Sequence, residues 1–332
     1  MKPIRLLRLG LVSPLQTQAV YHMLAERMSV DEPDTVILCS PSAPYLCLGY
    51  HQSLSSIFNP DECRRRGLPV LRRRLGGGAT FLDANQIFYQ CIFHHSRMPA
   101  MLKDIYQVAL SAPVATLKRL GLNAELRDVN EIEVNEKRIA GTGGGRIDEA
   151  CVVVGNLLFD FDFETMISVW QTPTSSFRIL AQKALRERLV TLNQIGITTS
   201  YDAIEAMLIE EFSRSFGRAL KEDTLTAEEL KCATAMEKVL VSDEFLSLHK
   251  SSEKFRPLKI SARAFIHADE MQLDEFMLNG SFLVLRQAQD GISQDVIQEA
   301  VLDSEPLHDW SSLENHLQGL PFKQWKEHIF VH

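Results

Sequence analysis

An arginine run leads directly into three glycines at residues 72–78, which read RRRLGGG. Apolar stretches that favour β-strands stand on both sides, at residues 68–73 and 79–93. Glycine backbone can adopt a positive φ and lie close to a ligand, so that its N–H groups point at an anion. Guanidinium groups add charge-assisted hydrogen bonds. The segment therefore predicts an anion pocket between two strands, for a nucleotide phosphate or an acyl carboxylate.

This segment differs from two common phosphate-binding loops. No Gly-Lys-Ser/Thr follows it at the spacing of a Walker loop. No helix is expected after the glycines, as a dinucleotide-binding fold would require. A flexible hairpin with solvated arginines is the simpler alternative for the same residues.

A second glycine-rich segment, KRIAGTGGG, occupies residues 137–145. Short strands are predicted at residues 131–134 and 137–140, joined by Asn135 and Glu136 as a hairpin. The basic pair Lys137 and Arg138 stands directly before a predicted glycine-rich loop, where it could bring a cation to the anion pocket. The alternative is an exposed hairpin with solvated charges.

Together the two segments resemble the lipoate–protein ligase A branch of the biotin/lipoate ligase superfamily. That family carries a pattern near RRxxGGGxxFxD, then an Asn-Asp-Ile-like element, and then a lysine before a hydrophobic residue, a small residue and glycine. The matching residues of the two motifs, with the family's Gly-Thr-Leu-Leu strand, are Arg72, Arg73, Gly76, Gly77, Gly78, Phe81, Asp83, Asn130, Glu131, Gly141, Gly155 and Asn156. The resemblance implies that these residues bind the substrate or the nucleotide.

The family's reactive lysine aligns with Arg138, and Lys137 lies one residue earlier. Neighbouring residues of a strand point to opposite faces, so Lys137 can take the place of residue 138 only through a register shift or a bulge. The catalytic candidates are therefore Arg138 and Lys137. The family pattern is also broken at Leu75 and Leu82.

The resemblance implies an α/β (α+β) fold with a mixed sheet flanked by helices. We expect a biotin/lipoate-ligase-like catalytic domain at residues 1–249, with a helical extension from about residue 177. A small α+β accessory domain is expected at residues 250–332. The polar stretch 250–257 is the predicted linker, strands are expected at 259–264 and 281–286, and helices are expected around Val296 and Trp325.

The implied activity is ATP-dependent. With Mg²⁺ present, lipoate reacts with ATP to give lipoyl-AMP and pyrophosphate. A lysine of a lipoyl carrier protein (a lipoyl domain or an H-protein-like protein) then accepts the lipoyl group, and AMP is released. The backbone of residues 76–78 would hold the adenylate phosphate, with electrostatic support from Arg72 and Arg73. The choice between lipoate and octanoate, and the ligands of the metal, stay open.

Two other functions fit the same pattern. An ATP-independent octanoyl or lipoyl transferase would need a thiolate nucleophile. Its nearest candidate in sequence to the second motif is Cys151, in an apolar run that favours a buried structural role. A non-catalytic acyl-binding homologue would explain the arginine at position 138.

Composition narrows the class of protein. The chain has 332 residues and a formal net charge of −8, which argues against a nucleic-acid partner. Its six cysteines form no CxxC pair, so a zinc site is not expected from them. No apolar run approaches the ~20 residues that span a bilayer, and the first residues lack a signal-peptide pattern. We therefore expect a cytoplasmic protein without a membrane partner.

Overall fold

The computed structural model describes residues 2–249, 258–261, 264–271, 281–289, 295–303 and 311–325. Its contacts divide the chain into two compact units. The first comprises Met1–Leu54, Pro60–Asp162 and Leu189–Lys250, and the second comprises Ser55–Asn59, Phe163–Arg188 and Ser251–His332. The predicted linker at residues 250–257 lies outside the described residues.

The strands follow in chain order: β1 Ile4–Val12, β2 Thr35–Pro41, β3 Tyr45–Leu48, β4 Val70–Arg72, β5 Thr80–Leu82, β6 Gln86–His94, β7 Ala124–Arg127, β8 Glu131–Val134, β9 Lys137–Arg138, β10 Ala140–Ile147, β11 Ala150–Leu158, β12 Leu220–Asp223, β13 Leu258–Ser261, β14 Ala264–Met271, β15 Ser281–Gln289 and β16 Asp295–Asp303. The helices are α1 Pro14–Glu26, α2 Leu54–Ile57, α3 Pro60–Arg65, α4 Leu102–Arg119, α5 Phe163–Val169, α6 Ser175–Arg188, α7 Tyr201–Phe216, α8 Ala227–Leu240, α9 Asp243–Leu246 and α10 Ser311–Leu317. Short 3-10 helices cover His95–Arg97, Asn193–Ile195 and Phe322–Gln324.

The first unit is built on a six-stranded mixed sheet in the order β10-β11-β6-β2-β1-β12. Strand β1 runs parallel to β2 and β12, whereas β2, β6, β11 and β10 pair antiparallel. Alternate residues of β1 enter different core clusters: Ile4 and Leu6 pack with residues of α4 and α7, and Leu7 packs with residues of α1 and α8. Because side chains alternate along a strand, the sheet is covered by helices on both faces. This confirms the predicted fold class.

Two small sheets accompany the large one, in the orders β4-β3-β5 and β7-β8-β9. The turn between β8 and β9 is formed by Asn135 and Glu136, which have φ values of 50° and 64°. Two successive residues with positive φ are the mark of a two-residue hairpin whose twist matches its strands. The hairpin that the sequence predicts is therefore confirmed.

The second unit contains an antiparallel sheet in the order β13-β14-β15-β16, with α6 lying against it. Its small core includes Leu285, Ile297 and Trp325. The helix predicted around Val296 is wrong, because this residue lies in β16 and pairs with Ala288 of β15. Trp325 directly follows the 3-10 helix Phe322–Gln324.

None of the helices that the structure describes combines the length and apolar character needed to cross a membrane.

Candidate functional site

The three glycines at residues 76–78 pack against backbone on two sides. A Cβ atom on Gly49 would lie 2.0 Å from the carbonyl oxygen of Gly77, and one on Gly143 would lie 3.3 Å from that of Gly76. Gly77 has a φ of +99°, which side-chain-bearing residues rarely adopt. The structure thus brings the two glycine-rich segments together, and this close approach depends on the missing side chains.

The second glycine-rich segment is a strand, whereas a loop was predicted. Gly141 and Gly143–Gly145 lie in β10, at the edge of the large sheet, and pair with β11 in continuous register. Glycine has low strand propensity, so the pattern alone did not indicate a strand. A Cβ atom on Gly144 would lie 2.8 Å from the hydroxyl of Tyr106. Strand β10 therefore has no side chains at the positions where the glycine loop and α4 approach it.

The Arg73 side chain binds the backbone of the glycine loop at residues 76–78. Its guanidinium donates to the carbonyl oxygens of Gly76 at 2.9 Å and Gly78 at 2.7 Å, and it also contacts Cys47 Sγ at 3.6 Å. Within the described residues, the N–H groups of Gly76, Gly77 and Gly78 have no protein acceptor. Arg73 thus holds the carbonyl oxygens of the loop, and the unpaired N–H groups beside them are suited to binding an anion.

Arg72 is fully buried and donates only to backbone. Its acceptors are the carbonyl oxygens of Gly49, Tyr50, Gln52, Phe245 and Leu246. Burial lowers the pKa of this guanidinium. In this structure the side chains of Arg72 and Arg73 position loops, because they donate to nearby carbonyl oxygens. Their electrostatic support of an anion stays a prediction.

His22 is a site residue that sequence reasoning missed. Its Nε2 accepts the backbone N–H of Arg74 at 2.9 Å, and its Nδ1 lies 2.7 Å from the carbonyl oxygen of Gln18. Burial lowers the pKa of His22 to about 3. The ring is thus neutral, with Nδ1 donating, and it ties the arginine segment to α1. A histidine within a helix gives no sequence signal for such a role.

A chain of side chains connects the edge strand to β5. The Asn156 Oδ1 accepts the backbone N–H of Gly141 at 2.6 Å, and the Asn156 amide donates to Gln86. Gln86 in turn contacts the Asp83 carboxylate at 3.4 Å and the carbonyl oxygen of Phe81 at 3.2 Å. Burial raises the pKa of Asp83. Asn156 and Asp83 thus hold β10, β11 and β5 at the site.

Gly155 serves the packing of the neighbouring strand. A Cβ atom there would lie 2.2 Å from the hydroxyl of Tyr89, which is opposite it in β6. Phe81 is buried, and its ring meets that of Phe161 edge-on with centroids 6.0 Å apart. Contacts of these two residues with a ligand stay predictions.

The hairpin places Arg138 and Lys137 in different surroundings. Arg138 pairs with Glu133 across the strands, its side chain is 27% exposed, and its guanidinium lies 3.6 Å from the Glu131 carboxylate. Its Nε is buried without a hydrogen-bond partner among the described residues. Lys137 is exposed and makes no ion pair with any part of the chain that the structure describes. The register of the hairpin is regular at Arg138 and Lys137. Which of the two supports catalysis stays a prediction.

Asn130 and Thr142 join this hairpin to the glycine strand. The Thr142 hydroxyl donates to the carbonyl oxygen of Asn130. A hydrogen bond between the Asn130 side chain and the Tyr106 hydroxyl partly offsets the burial that raises the pKa of Tyr106. The backbone of Thr142 also lies next to Gly77, whose added Cβ atom would be 3.7 Å from the Thr142 carbonyl oxygen. The hairpin that carries Arg138 therefore continues into β10, the strand that the glycine loop approaches.

Two cysteines bear on the choice of chemistry. Cys151 lies opposite Phe93 and Arg146, near the turn between β10 and β11, and burial raises the pKa of its thiol. Cys47 contacts Arg73 inside the glycine loop. It is 1% exposed, and burial raises the pKa of its thiol while the nearby Arg73 opposes the rise.

Several known proteins are similar to this chain. The family profile of the lipoyl protein ligase A/B catalytic domain matches residues 13–213. Octanoyltransferase LipM of Kyrpidia tusciae is 26% identical over 271 residues, covering 74% of this chain and 98% of the relative. Lipoate-protein ligase A subunit 1 of Thermoplasma acidophilum is 27% identical over 192 residues, covering 55% of this chain and 72% of the relative.

One solved structure shows the same fold. It is a bi-partite lipoate protein ligase from Thermoplasma acidophilum, described together with its E2 lipoyl domain. It aligns with a TM-score of 0.69 and 21% identity, covering 76% of this chain and 99% of that chain.

Proposed function

Because the chain belongs to the lipoyl protein ligase A/B catalytic-domain family of the biotin/lipoate ligase superfamily, we propose that it is an ATP-dependent lipoate–protein ligase. It would join lipoate to AMP and pass the lipoyl group to a lysine of a lipoyl carrier protein. The family includes both ligases and acyl transferases, as the two sequence relatives illustrate. The proposal therefore concerns which of these reactions the chain carries out.

The observation that carries the proposal is the orientation of the glycine loop. Arg73 holds the carbonyl oxygens of Gly76 and Gly78, and no protein group within the described residues accepts the N–H groups of residues 76–78. Joining a carboxylate to a nucleotide phosphate brings two anions together, so fixed donors must face the developing charge. We assign the adenylate phosphate to these N–H groups. Mg²⁺ would enter with ATP, held largely by phosphate oxygens and water.

Arg138 would supply the cation between the acyl carbonyl and the phosphate. It stands three residues before Gly141, on the strand pair that continues into β10. The Glu131 side chain, which forms an ion pair with Arg138, is 6% exposed. The buried Nε of Arg138 has no hydrogen-bond partner among the described residues. A buried unpaired donor costs free energy unless a ligand accepts its hydrogen bond. We propose that the acyl-phosphate is this acceptor.

The second substrate would be a carrier domain that presents a lysine amine. The related Thermoplasma ligase was studied with an E2 lipoyl domain, which supports a lipoyl domain or an H-protein-like carrier for this chain. The amine attacks the acyl carbon of the mixed anhydride, the acyl–oxygen bond to AMP breaks, and the amine loses a proton. Lipoate and octanoate share the carboxylate and apolar chain that this scheme needs.

The runner-up is an ATP-independent octanoyl transferase, because LipM of Kyrpidia tusciae is matched over nearly its whole length. A thioester mechanism needs an accessible thiolate. Cys151 stands five positions before Asn156 on β11, and at about 3.3 Å per residue this separates their Cα atoms by ~17 Å. Cys47 contacts the glycine loop but is 1% exposed. The placement of both thiols favours the ligase.

The experiment that tests the proposal measures lipoate-dependent pyrophosphate release from ATP and Mg²⁺. A ligase releases pyrophosphate only when lipoate is added. The Cys47→Ser and Cys151→Ser variants should keep this activity. No release, together with an acyl-cysteine detected by mass spectrometry after incubation with octanoyl carrier, would establish the transferase. Acyl binding without either reaction would leave the non-catalytic homologue.

A further inference from the structure

Two histidines and a glutamate meet at the end of the sheet where β10 turns into β11. His94 ends β6, His95 begins the following 3-10 helix, and Glu149 lies in the turn between β10 and β11. One ligand atom from each residue can be chosen so that all three lie within 4.8 Å of one another. The lipoate scheme uses none of these side chains.

The two oxygens of the Glu149 carboxylate contact different side chains. Its Oε2 faces both imidazoles, 2.7 Å from His95 Nε2 and 3.7 Å from His94 Nε2. Its Oε1 lies 3.4 Å from the guanidinium of Arg146. The backbone N–H of His95 also donates to the carbonyl oxygen of Glu149 at 2.9 Å. The three groups are therefore fixed with Oε2 and two ring nitrogens converging.

Ser96 is placed to orient the His94 ring. Its hydroxyl lies 2.7 Å from His94 Nδ1, and its backbone N–H lies 3.3 Å from the same nitrogen. The backbone N–H of Ser96 donates to Nδ1, which leaves the ring proton on Nε2. An ion bound at Nε2 would displace this proton, and Nδ1 would then carry a proton and donate to the Ser96 hydroxyl. A hydrogen bond from the second ring nitrogen is the usual support of a metal-binding histidine.

We propose that His94, His95 and Glu149 bind a divalent transition-metal ion of the Zn²⁺ type. Two imidazole nitrogens and one carboxylate oxygen suit zinc, cobalt or nickel, whereas Mg²⁺ and Ca²⁺ prefer oxygen ligands alone. Three protein ligands leave a fourth position for water. His94 is buried, His95 is 36% exposed and Glu149 is 52% exposed, so an ion can enter from the surface.

The bound ion would tie the glycine-rich edge of the sheet to β6. Four of the eight residues of β10 are glycines, which provide no side chain to anchor the strand. Glu149 belongs to the turn that closes β10 and β11, and His94 pairs with Ala150 across the sheet. Gly143, which the glycine loop approaches, is four residues from Ile147, which is about 13 Å along the strand. The ion would therefore stabilise the strand without entering the reaction.

Calorimetric titration of the chelator-treated, reduced full chain with ZnCl₂ tests this inference. We expect one equivalent to bind, no binding of Mg²⁺ under the same conditions, and a higher melting temperature with zinc. Replacing Zn²⁺ by Co²⁺ should give weak visible bands without the intense absorption of thiolate ligands. A thiolate spectrum, or no binding, would overturn the proposal.

The Glu149→Gln and His95→Gln variants test the ligands, because both residues are partly exposed and amides preserve their size. Each change should weaken zinc binding by about tenfold or more, since even outer-shell changes at metal sites cost about 10–100-fold. His316→Gln, in α10, is the matched control and should bind like the unmodified chain. Unchanged affinity in both ligand variants would place the metal elsewhere and contradict the assignment.

Discussion

Arg138 is the residue on which the chemistry depends most. Its guanidinium is partly buried beside Glu131, while Lys137 is exposed. Arginine keeps the charge of a lysine, but its planar group is larger and donates in a fixed geometry. We therefore expect it to stabilise the acyl-phosphate with a specific orientation.

Arg138→Ala should reduce lipoate-dependent pyrophosphate release by about 100- to 1,000-fold, as losing a donor to a developing anion typically does. Arg138→Lys should retain only part of the activity, because the positive charge is kept while the Nε donor and the planar geometry are lost. Lys137→Ala is the control and should match the unmodified chain. Full activity in Arg138→Ala would remove Arg138 from the mechanism and make Lys137 the candidate.

His22 makes stability depend on pH. Its folded pKa of about 3 lies below the ordinary 6.5, so the unfolded chain takes up a proton that the folded chain does not. Its contribution is fully present above pH 6.5 and is lost as pH falls towards 3, with a slope of about 1.4 kcal/mol per pH unit.

Urea unfolding of the unmodified chain and of His22→Gln, measured between pH 7.5 and 4.5, tests this prediction. The difference in the free energy of unfolding should shrink by about 1.4 kcal/mol for each pH unit below pH 6. A difference that does not change with pH would mean that His22 is not held neutral.

Among the elements, the glycine-rich strand β10 is the one whose close packing against the glycine loop and Tyr106 depends on missing side chains. A Cβ atom on Gly144 would lie 2.8 Å from the Tyr106 hydroxyl and 2.9 Å from the carbonyl oxygen of Val152. One on Gly145 would meet only Leu75, at an ordinary 3.6 Å. The two neighbours thus form a matched pair.

Gly144→Ala should lower the free energy of unfolding by about 1–3 kcal/mol through overpacking. It should also reduce pyrophosphate release by at least tenfold, because β10 and Tyr106 must separate. Gly145→Ala should leave both nearly unchanged. Urea denaturation and the pyrophosphate assay measure the two effects, and equal behaviour of the variants would contradict the packing account.

Elements with a regular pattern were predictable from the sequence. The apolar run at residues 79–93 contains β5 and all but the last residue of β6, and Asn135-Glu136 marked the hairpin turn. The strand at residues 140–147 was not predictable, because its glycines form a strand only through pairing with β11. Strand β1 was missed because Arg5 and Arg8 interrupt its apolar residues, although Arg5 is buried against Glu229.

The location of the candidate site could be predicted from the sequence, whereas the roles of several of its residues could not. The two glycine segments meet as expected, because each lacks side chains where the other approaches. The roles of Arg72 and Arg73 could not be read from the sequence, since only the fold shows that their donors bind nearby carbonyls. His22 and the His94–His95–Glu149 cluster depend equally on tertiary contacts.

At the scale of the whole molecule, the two compact units are interleaved in sequence. The expected boundary at residue 250 places α6 with the catalytic domain, whereas the contacts group Phe163–Arg188 with the C-terminal unit. Helix α6 buries Phe177, Leu180 and Leu185 and lies against β13 and β14. The boundary stays a prediction, and we propose that a single cut would not separate two intact domains.

A fragment of residues 1–249 should therefore expose the apolar face of α6. We expect it to bind a hydrophobic dye more strongly than the full chain and to aggregate at lower concentration. Size-exclusion chromatography and dye fluorescence measure this. A monodisperse fragment with the dye binding of the full chain would show that the boundary at residue 250 is correct.

The mass of the carrier shows whether this chain transfers lipoate to it in an ATP-dependent reaction. The full chain is incubated with ATP, Mg²⁺, lipoate and an apo lipoyl domain, with matched reactions that lack ATP. We expect one lipoyl group to be added to the carrier lysine only when ATP is present. A carrier that gains no acyl mass with ATP and lipoate, or that is acylated from an octanoyl carrier without ATP, would contradict this expectation.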